Sequence, residues 1–422
     1  MKIVVVGAGI SGLSFALSLK NAPNGKDFEM IILEKRPRSI RDSEVNKKKY
    51  DYTLSLRKDA GGISVIQHLG LFEKLQSLRS NVFGFVFGYL GNQKLVTSID
   101  LSTAGDPEDE LRVSRTKLWE TLEEQVQKIA VEIKWNSTVT QVNQSDKFAE
   151  IFYTDGQGNQ QSIKADLLVA ADGHESVVRQ QVTCDTPLYL QTYSVQLRTK
   201  YARTIPGITE KHGIYKGQGV GLSFVDEGKG NYYFGLSNST DEDEETVSRR
   251  LARKEELKKE GILLSALFPE PLPSIVKNTS EDSFSLLMFR DKLPPKQALK
   301  HIVFIGDAAH IISPLACSGA NYAFVDAEFL SFALAKHQGN LGYALPEFLE
   351  ASANFCERMI VDQRRLIGVI HSYSPASDFV NNCVMSLLSA FIYHPKKTCL
   401  TIGVVGILAF YFARSFFKMI RR

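Results

Sequence analysis

A glycine pattern between two short apolar runs limits the folds open to this chain more than any other feature. The first run, Lys2–Val6, leads directly into the residues from Gly7 to Gly12 (GAGISG). The second run, Met30–Leu33, ends at Glu34, and the residues between the two runs follow a helical pattern. A G-x-G-x-x-G pattern becomes informative in this strand–turn–helix–strand setting. The start of the chain therefore predicts a βαβ unit that binds a dinucleotide.

Each glycine in this pattern has a physical task in dinucleotide binding. Gly7 permits a tight turn, Gly9 lets the backbone approach a pyrophosphate, and Gly12 lets helix and strand pack closely. The helix N-terminus adds N–H groups and a positive dipole end. Glu34, about 20 residues further on, would accept hydrogen bonds from an adenosine ribose, and its charge would repel a 2′-phosphate. The site is therefore predicted to hold FAD or NAD rather than NADP.

Size, charge and cysteine content exclude several classes of protein. The 422 residues are enough for two joined domains with a large core. The net charge of +3 and the lack of a basic stripe with interleaved aromatics argue against nucleic-acid binding. The five cysteines are scattered without a C-x-x-C pair, so neither a metal site nor a redox motif is predicted. Such cysteine usage suits a reducing compartment.

Two further strand-to-loop motifs occur later in the chain. An apolar run over 167–171 ends in Asp172-Gly173, and another over 302–305 ends in Gly306-Asp307. A carboxylate at the end of a buried strand can reach ligand hydroxyls, and the adjacent glycine allows a close approach. A long helix then opens near Gly319 and would direct its dipole towards a site where negative charge develops.

Taken together, the three motifs resemble those of FAD-dependent monooxygenases of the aromatic hydroxylase type, the group of p-hydroxybenzoate hydroxylase. The resemblance covers about residues 2–370, in the family's order and spacing. Segments 52–71 and 313–321 look most like the branch of tetracycline-inactivating hydroxylases and their fungal relatives. Cys317 departs from that branch, which usually has glycine at this position of its G-x-G-x-N turn.

The resemblance implies a set of cofactor-binding residues. The glycine motif and the ribose acid would bind the ADP half of FAD, and a helix-opening arginine would reach the phosphates or ribityl chain. The D-G motif, accompanied by Arg179, would serve FAD and NAD(P)H, and the G-D motif would hold the ribityl chain. The residues so implied are Gly7, Gly9, Gly12, Glu34, Arg115, Asp172, Gly306, Asp307, Gly319 and Asn321. No nucleophile or general base can be identified, because the cofactor carries this chemistry.

The implied activity is hydroxylation of an apolar or aromatic small molecule. NAD(P)H would reduce FAD, and reduced FAD with O2 would form a flavin hydroperoxide that transfers one oxygen atom to the substrate. Substrate contacts are expected from aromatic-rich segments, because such pockets are mainly apolar. The segments concerned are 83–89, 193–197, 221–224 and 232–236.

Three other functions use the same fold. A flavin halogenase is disfavoured, because its W-x-W-x-I-P signature is absent and the two tryptophans, Trp119 and Trp135, are far apart in sequence. A non-catalytic carrier of lipidated proteins, of the Rab escort type, is disfavoured by the retained Asp172 and Asp307 motifs. A flavin oxidase or reductase that inserts no oxygen stays open as an alternative.

The predicted fold class is α/β: a Rossmann-like FAD-binding domain interleaved with a β-sheet substrate domain and followed by a C-terminal helical membrane tail. The FAD-binding domain is assigned to residues 1–80, 101–185 and 295–375. The substrate domain is assigned to residues 81–100 and 186–294, and residues 376–422 form the C-terminal helices.

The tail is predicted to anchor the protein in a membrane. Residues 398–413 form an uncharged run, preceded by Lys396-Lys397 and followed by Arg414. Extension to Phe417 reaches the roughly 20 residues that span a bilayer, with the arginine side chain extended towards the interface. A buried C-terminal helix is the alternative, which the basic flanks disfavour. Since FAD and NAD(P)H chemistry suits the cytoplasm, the catalytic part is expected to face that side of the membrane.

Overall fold

The computed structural model assembles the chain into two compact units. The residues it describes are 1–38, 52–80, 85–91, 94–100 and 109–374. Of these residues, the first unit takes those within 1–79, 109–188 and 290–361, and the second takes those within 80–100, 189–289 and 362–374. Each unit is therefore built from segments that are distant in sequence.

Strands and helices alternate along much of the described chain. The strands are β1 (Lys2–Val6), β2 (Glu29–Leu33), β3 (Thr53–Arg57), β4 (Phe85–Gly91), β5 (Lys94–Asp100), β6 (Glu110–Ser114), β7 (Glu132–Lys134), β8 (Thr138–Gln144), β9 (Ala149–Thr154), β10 (Gln160–Ala165), β11 (Leu167–Ala170), β12 (Leu188–Lys200), β13 (His212–Lys216), β14 (Val220–Gly228), β15 (Asn231–Ser239), β16 (Phe284–Asp291) and β17 (Ile302–Phe304). The helices are α1 (Ile10–Asn21), α2 (Gly62–His68), α3 (Phe72–Ser77), α4 (Arg115–Val126), α5 (Val177–Val182), α6 (Glu244–Arg250), α7 (Lys254–Ser265), α8 (Leu272–Asn278), α9 (Gly319–Lys336) and α10 (Leu341–His371).

A five-stranded parallel sheet forms the centre of the first unit. Its strand order is β17-β11-β1-β2-β7. The strands β1 and β11 are almost entirely buried, as expected when helices cover both faces of a parallel sheet. The predicted βαβ unit is confirmed: β1 and β2 pair in parallel, and α1 connects them.

Two glycines permit α1 to pack closely on this sheet. Gly7 has a φ of +108°, and a Cβ built on it would lie 2.4 Å from the carbonyl oxygen of Ala171. A Cβ on Gly12 would lie 2.0 Å from the carbonyl oxygen of Gly7. Any larger residue at either position would push the helix or the loop away from the strands.

Two smaller antiparallel sheets complete the first unit. The strands β8, β9 and β10 form one, and β3 pairs with β6 to form the other. Because side chains alternate along a strand, β3 and β6 have one apolar and one polar face. The apolar face packs on the main core through Leu54, Leu56, Leu111 and Val113.

A seven-stranded sheet forms the second unit, in the order β16-β12-β15-β14-β13-β4-β5. The pairs from β12 to β13 are antiparallel, whereas β13 and β4 are parallel. One face of the sheet packs with α6, α7 and α8 in an apolar core. The sheet contributes Tyr193, Val195, Leu197, Leu222, Phe224, Tyr232, Phe234 and Leu236 to that core.

This arrangement changes part of the expected source of substrate contacts. Most large side chains of the segments 193–197, 221–224 and 232–236 are buried in the helix-covered core. The opposite face of the same strands has small residues, among them Ser194, Ser223 and Gly235, and it also carries the half-buried Tyr233. The side-chain alternation of a strand explains the result, because aromatic content does not reveal which face meets the core. Residues 83 and 84 lie outside the described residues.

Buried polar groups fix the end of α10 to the second unit. The Lys216 ammonium donates hydrogen bonds to the Val369 carbonyl at 2.7 Å and to the Ser372 hydroxyl at 3.1 Å. The His371 ring contacts the Ile367 carbonyl through Nδ1 and the Ser237 hydroxyl through Nε2, both at 2.9 Å. Burial lowers the pKa of His371 to about 4, and the Lys216 charge acts in the same direction.

The helices of the described ranges do not include one that is long and apolar enough to cross a bilayer. The predicted anchor at 398–417 lies outside the described residues.

The pKa of His371 predicts how stability depends on pH. Because its pKa in the folded protein is below the ordinary value of about 6.5, the folded state favours the neutral ring. The free energy of unfolding should therefore fall as the pH drops from about 6.5 to about 4, by up to roughly 3 kcal/mol. We expect His371→Gln, which cannot take up this proton, to lose less stability between pH 7 and pH 4.5 in denaturation curves. The exposed His68→Gln is the control, and equal pH dependence in wild type and His371→Gln would contradict the prediction.

Candidate cofactor-binding site

Three loops meet at one edge of the parallel sheet. The register pairs Val6 of β1 with Ala170 of β11, and Ala170 with Phe304 of β17. The loops that follow these strands therefore begin side by side. The direction of strand order reverses beside β1, and open α/β sheets bind ligands outside the carboxyl ends of the strands at such a point. The structure thus brings together the glycine, D-G and G-D motifs.

The glycine loop leaves open space at one position. Gly9 immediately precedes α1, and a Cβ built on it would meet no atom within 4 Å. The first turn of a helix presents backbone N–H groups that have no partner within the helix. A phosphate group can therefore approach the backbone at Gly9. The flanking glycines, Gly7 and Gly12, are in contrast packed so closely that a Cβ would not fit.

Glu34 holds the glycine loop from the neighbouring strand. Its side chain is buried, with 6% of its surface exposed. Oε2 accepts a hydrogen bond from the Ala8 amide at 2.8 Å, and Oε1 accepts one from the Arg36 amide at 3.0 Å. Each carboxylate oxygen has two lone pairs, so the group retains acceptor capacity for a ribose hydroxyl. The sequence predicts only that second role and misses the contact with the loop.

Asp172 has one carboxylate oxygen that is satisfied and one that is not. Oδ2 accepts a hydrogen bond from the Val178 amide at 3.2 Å. Oδ1 is buried, and no described residue provides it with a hydrogen-bond partner. Burial raises the pKa of this carboxyl group. An unpaired buried oxygen at the end of β11 fits a site whose ligand carries hydroxyl or N–H donors.

Arg179 connects the D-G loop to the G-D turn. It is only 2% exposed. Its guanidinium donates to the carbonyls of His174 and Asp185 on one side. On the other side it donates to the carbonyls of Asp307 at 3.2 Å and Ala308 at 3.0 Å. Its hydrogen bonds to these backbone groups indicate that Arg179 shapes the site, whereas the resemblance assigns the motif to cofactor contact.

A buried carboxylate fixes the start of the G-D turn. Gly306 has a φ of +58°, and a Cβ there would lie 2.1 Å from the Ser11 hydroxyl. Asp326 of α9 accepts hydrogen bonds from the Gly306 amide at 2.8 Å, from His310 Nε2 at 2.7 Å and from the Ser352 hydroxyl at 2.7 Å. Burial disfavours the charged imidazole, but the Asp326 carboxylate raises the pKa of His310 above its ordinary value. Sequence reasoning missed Asp326, although a carboxylate within an apolar helical run is a signal for a buried partner.

Lys292 supports the other end of the same turn. Its ammonium group is buried and donates to the carbonyls of Leu293 and Ala309, both at 3.0 Å. It also pairs with the Asp185 carboxylate at 2.7 Å. Charged groups therefore contact the turn from several directions. No sequence signal predicted this lysine.

Asp307 differs from its neighbours in the turn because its side chain is exposed, whereas Gly306 and Ala308 are buried. The surrounding protein still desolvates the carboxyl group and raises its pKa, while positive charges that include Arg115 and Arg179 oppose this shift. Arg115, the first residue of α4, is thus one of the charges that lower the pKa of Asp307.

Asn321, in the first turn of α9, binds the backbone of β3. Its side-chain amide accepts a hydrogen bond from the Arg57 amide at 2.7 Å and donates one to the Ser55 carbonyl at 2.8 Å. These contacts fix β3 to α9, a role the sequence did not predict.

Cys317 has a φ of +50° and a ψ of 28°, so it adopts the left-handed conformation that glycine accepts readily. The departure from the family's glycine therefore does not prevent that conformation. A Cβ built on the nearby Gly319 would lie 3.8 Å from the Asp307 Oδ1.

Comparison with known proteins agrees with this geometry. Residues 1–266, more than half of the chain, match the family described as FAD binding domain. Monooxygenase cfoF of Aspergillus candidus is 27% identical over 350 residues, which cover 79% of this chain and 83% of that protein. The 3-amino-4-hydroxybenzoate 2-monooxygenase of Streptomyces cremeus is 24% identical over 336 residues, or 77% of this chain and 76% of the relative.

Solved structures share the fold. Klebsiella pneumoniae HpxO, complexed with FAD and uric acid, superposes with a TM-score of 0.72 at 18% identity, covering 91% of this chain and 92% of that one. The tetracycline destructase Tet(55) superposes with a TM-score of 0.65 at 18% identity, covering 93% of this chain and 97% of the other. The fold prediction for the FAD-binding part is confirmed by these likenesses.

Removal of the exposed carboxylate tests the G-D turn as a cofactor contact. If Asp307 accepts hydrogen bonds from the ribityl hydroxyls, Asp307→Ala should weaken FAD binding about ten- to a hundredfold, because a hydrogen bond to a charged group contributes roughly 1.5–3 kcal/mol. Asp307→Asn keeps an acceptor oxygen and should lose less. Titration of the apoprotein with FAD measures both, with Asp241→Ala in the second unit as a control. Wild-type affinity in Asp307→Ala would count against the assignment.

The functional class rests on two findings. The first is the family match over residues 1–266. The second is that the relatives, which this chain matches over most of their length, are named as monooxygenases. The chain belongs to the FAD binding domain family and is an FAD-dependent monooxygenase.

Proposed function

We propose that this protein hydroxylates an apolar or aromatic small molecule, with NAD(P)H as the reductant. In the balanced reaction, a substrate C–H group, O2, NAD(P)H and a proton give a C–OH group, water and NAD(P)+. Bound FAD supplies the redox chemistry, and the protein binds, orients and desolvates the reactants. The convergence of three motif loops at the carboxyl ends of β1, β11 and β17 is the observation that supports this function most directly.

The motif loops of the first unit would bind FAD. The open backbone position at Gly9 would face the pyrophosphate, and the unpaired Oδ1 of Asp172 would accept a ligand donor. Asp307 would accept hydrogen bonds from the ribityl hydroxyls. Arg179 and Asp326 would hold the loops that carry these groups.

The relatives support a substrate with polar substituents. Relatives named for their substrates act on urate and on 3-amino-4-hydroxybenzoate. We therefore favour an aromatic ring with oxygen or nitrogen substituents over a plain hydrocarbon.

Product analysis tests the proposed reaction. Purified protein should oxidise NAD(P)H faster with members of an aromatic and polycyclic substrate panel than without them. The product should gain 16 mass units, and ¹⁸O2 should supply the added oxygen. Substrate-independent NAD(P)H oxidation that yields only hydrogen peroxide would instead indicate an oxidase, and labelled oxygen derived from water would contradict a monooxygenase.

We also propose that residues 398–417 anchor the protein in a membrane, with the catalytic part facing the cytoplasm. The uncharged run at 398–413 and the basic residues on both sides support this proposal. A substrate dissolved in the membrane would give the anchor a purpose, because the enzyme and the substrate would share one compartment.

Truncation tests the anchor. Deletion of residues 396–422 should release the protein from membranes and leave FAD binding intact. The single change Ile407→Lys should weaken membrane association in the full chain, since a lysine at the centre of a span costs roughly 2.5–3.5 kcal/mol. Fractionation at high salt, with and without detergent, measures both variants. A full-length protein that is soluble without detergent would refute the anchor, as would a truncated protein that loses FAD.

A further inference from the structure

Both tryptophans of the chain lie together in the first unit. Trp119 belongs to α4, and Trp135 follows β7. Their rings meet edge to face, with centroids 6.2 Å apart. Trp119 is 5% exposed, and its indole Nε1–H donates a hydrogen bond to the Ala8 carbonyl at 2.7 Å. One of the two rings therefore contacts the backbone of the glycine loop.

Side chains fix both polar backbone groups of Ala8. Its amide donates to Glu34 Oε2 at 2.8 Å, and its carbonyl accepts from Trp119 at 2.7 Å. In a planar trans peptide, the carbonyl and the following N–H point in opposite directions. Because the Ala8 carbonyl is directed at the indole, the N–H of Gly9 is directed away from it. Gly9 is the position where a side chain would meet open space.

We infer that Trp119 is a positioning residue for FAD: its indole N–H sets the orientation of the Ala8–Gly9 peptide before the cofactor binds. This inference rests on the FAD-binding function and adds a residue to it. A loop held in its binding conformation loses less conformational freedom when the ligand arrives, so affinity is higher. Trp119 acts through Ala8 and needs no contact with the cofactor.

A matched pair of substitutions tests the inference. Trp119→Phe removes the N–H donor but keeps an aromatic ring. Trp135→Phe removes the neighbouring indole, whereas the hydrogen bond to the Ala8 carbonyl comes from Trp119. Titration of each apoprotein with FAD should show an affinity about tenfold weaker for Trp119→Phe, the size expected for loss of one hydrogen bond and an unpaired buried carbonyl. Trp135→Phe should stay within about twofold of wild type.

Two further measurements separate positioning from general stability. ADP contains the pyrophosphate, so its affinity as a competitor should fall in parallel with that of FAD in Trp119→Phe. Both apoprotein variants should still melt in one cooperative transition above the titration temperature, so that a loss of affinity is not a loss of fold. Equal FAD affinity in Trp119→Phe and wild type would overturn the inference, as would an equal loss of affinity in Trp135→Phe.

An isosteric replacement covers the case in which Trp119→Phe fails to fold. In a Trp135→Phe background, benzothienylalanine can be incorporated at the single remaining tryptophan, which replaces the N–H by sulfur and keeps the ring size. We expect the same roughly tenfold loss of FAD affinity. Unchanged affinity in this protein would refute the role of the N–H. Failure of wild-type protein to bind FAD would instead contradict the proposed function.

Discussion

The parallel pairing of β17, β11 and β1 is the constraint on which the candidate site depends. These strands come from three distant parts of the chain, yet their register starts the three motif loops at one edge of the sheet. Parallel strands place all their carboxyl ends on the same side, so loops with different sequences can act on one ligand. Without this pairing, the glycine loop, Asp172 and Asp307 would be unrelated local features.

Buried charges convert this rough placement into a defined geometry. Arg179, Lys292 and Asp326 all form hydrogen bonds with backbone groups of the G-D turn. A buried charge is unfavourable unless its hydrogen-bonding groups are satisfied, and backbone carbonyls and amides fulfil that need here. The turn is thereby held from several directions, while the Asp307 side chain remains exposed. Trp119 and Glu34 act on the glycine loop in the same manner, one on each polar group of Ala8.

Several roles assigned from the sequence changed once neighbours were known. Asn321 has the spacing of a cofactor-side residue, and the structure adds that its side-chain amide holds the backbone of β3. The aromatic residues of β12, β14 and β15 had been expected at a ligand surface, and most lie in a core covered by helices. Both changes have one physical origin. A local pattern specifies the chemistry of a side chain, whereas its partner is set by segments that are distant in sequence.

The sequence alone determined the nucleotide-binding βαβ unit, because a tight turn, close helix packing and a carboxylate at the end of β2 need particular residues at particular local spacings. It also located the D-G and G-D motifs, since each is a strand followed by a short polar turn. Only the tertiary structure decided that Asp326, Lys292 and Trp119 support those turns. Their contacts join segments far apart in the chain, and no local spacing encodes a hydrogen bond between an indole in α4 and a carbonyl after β1.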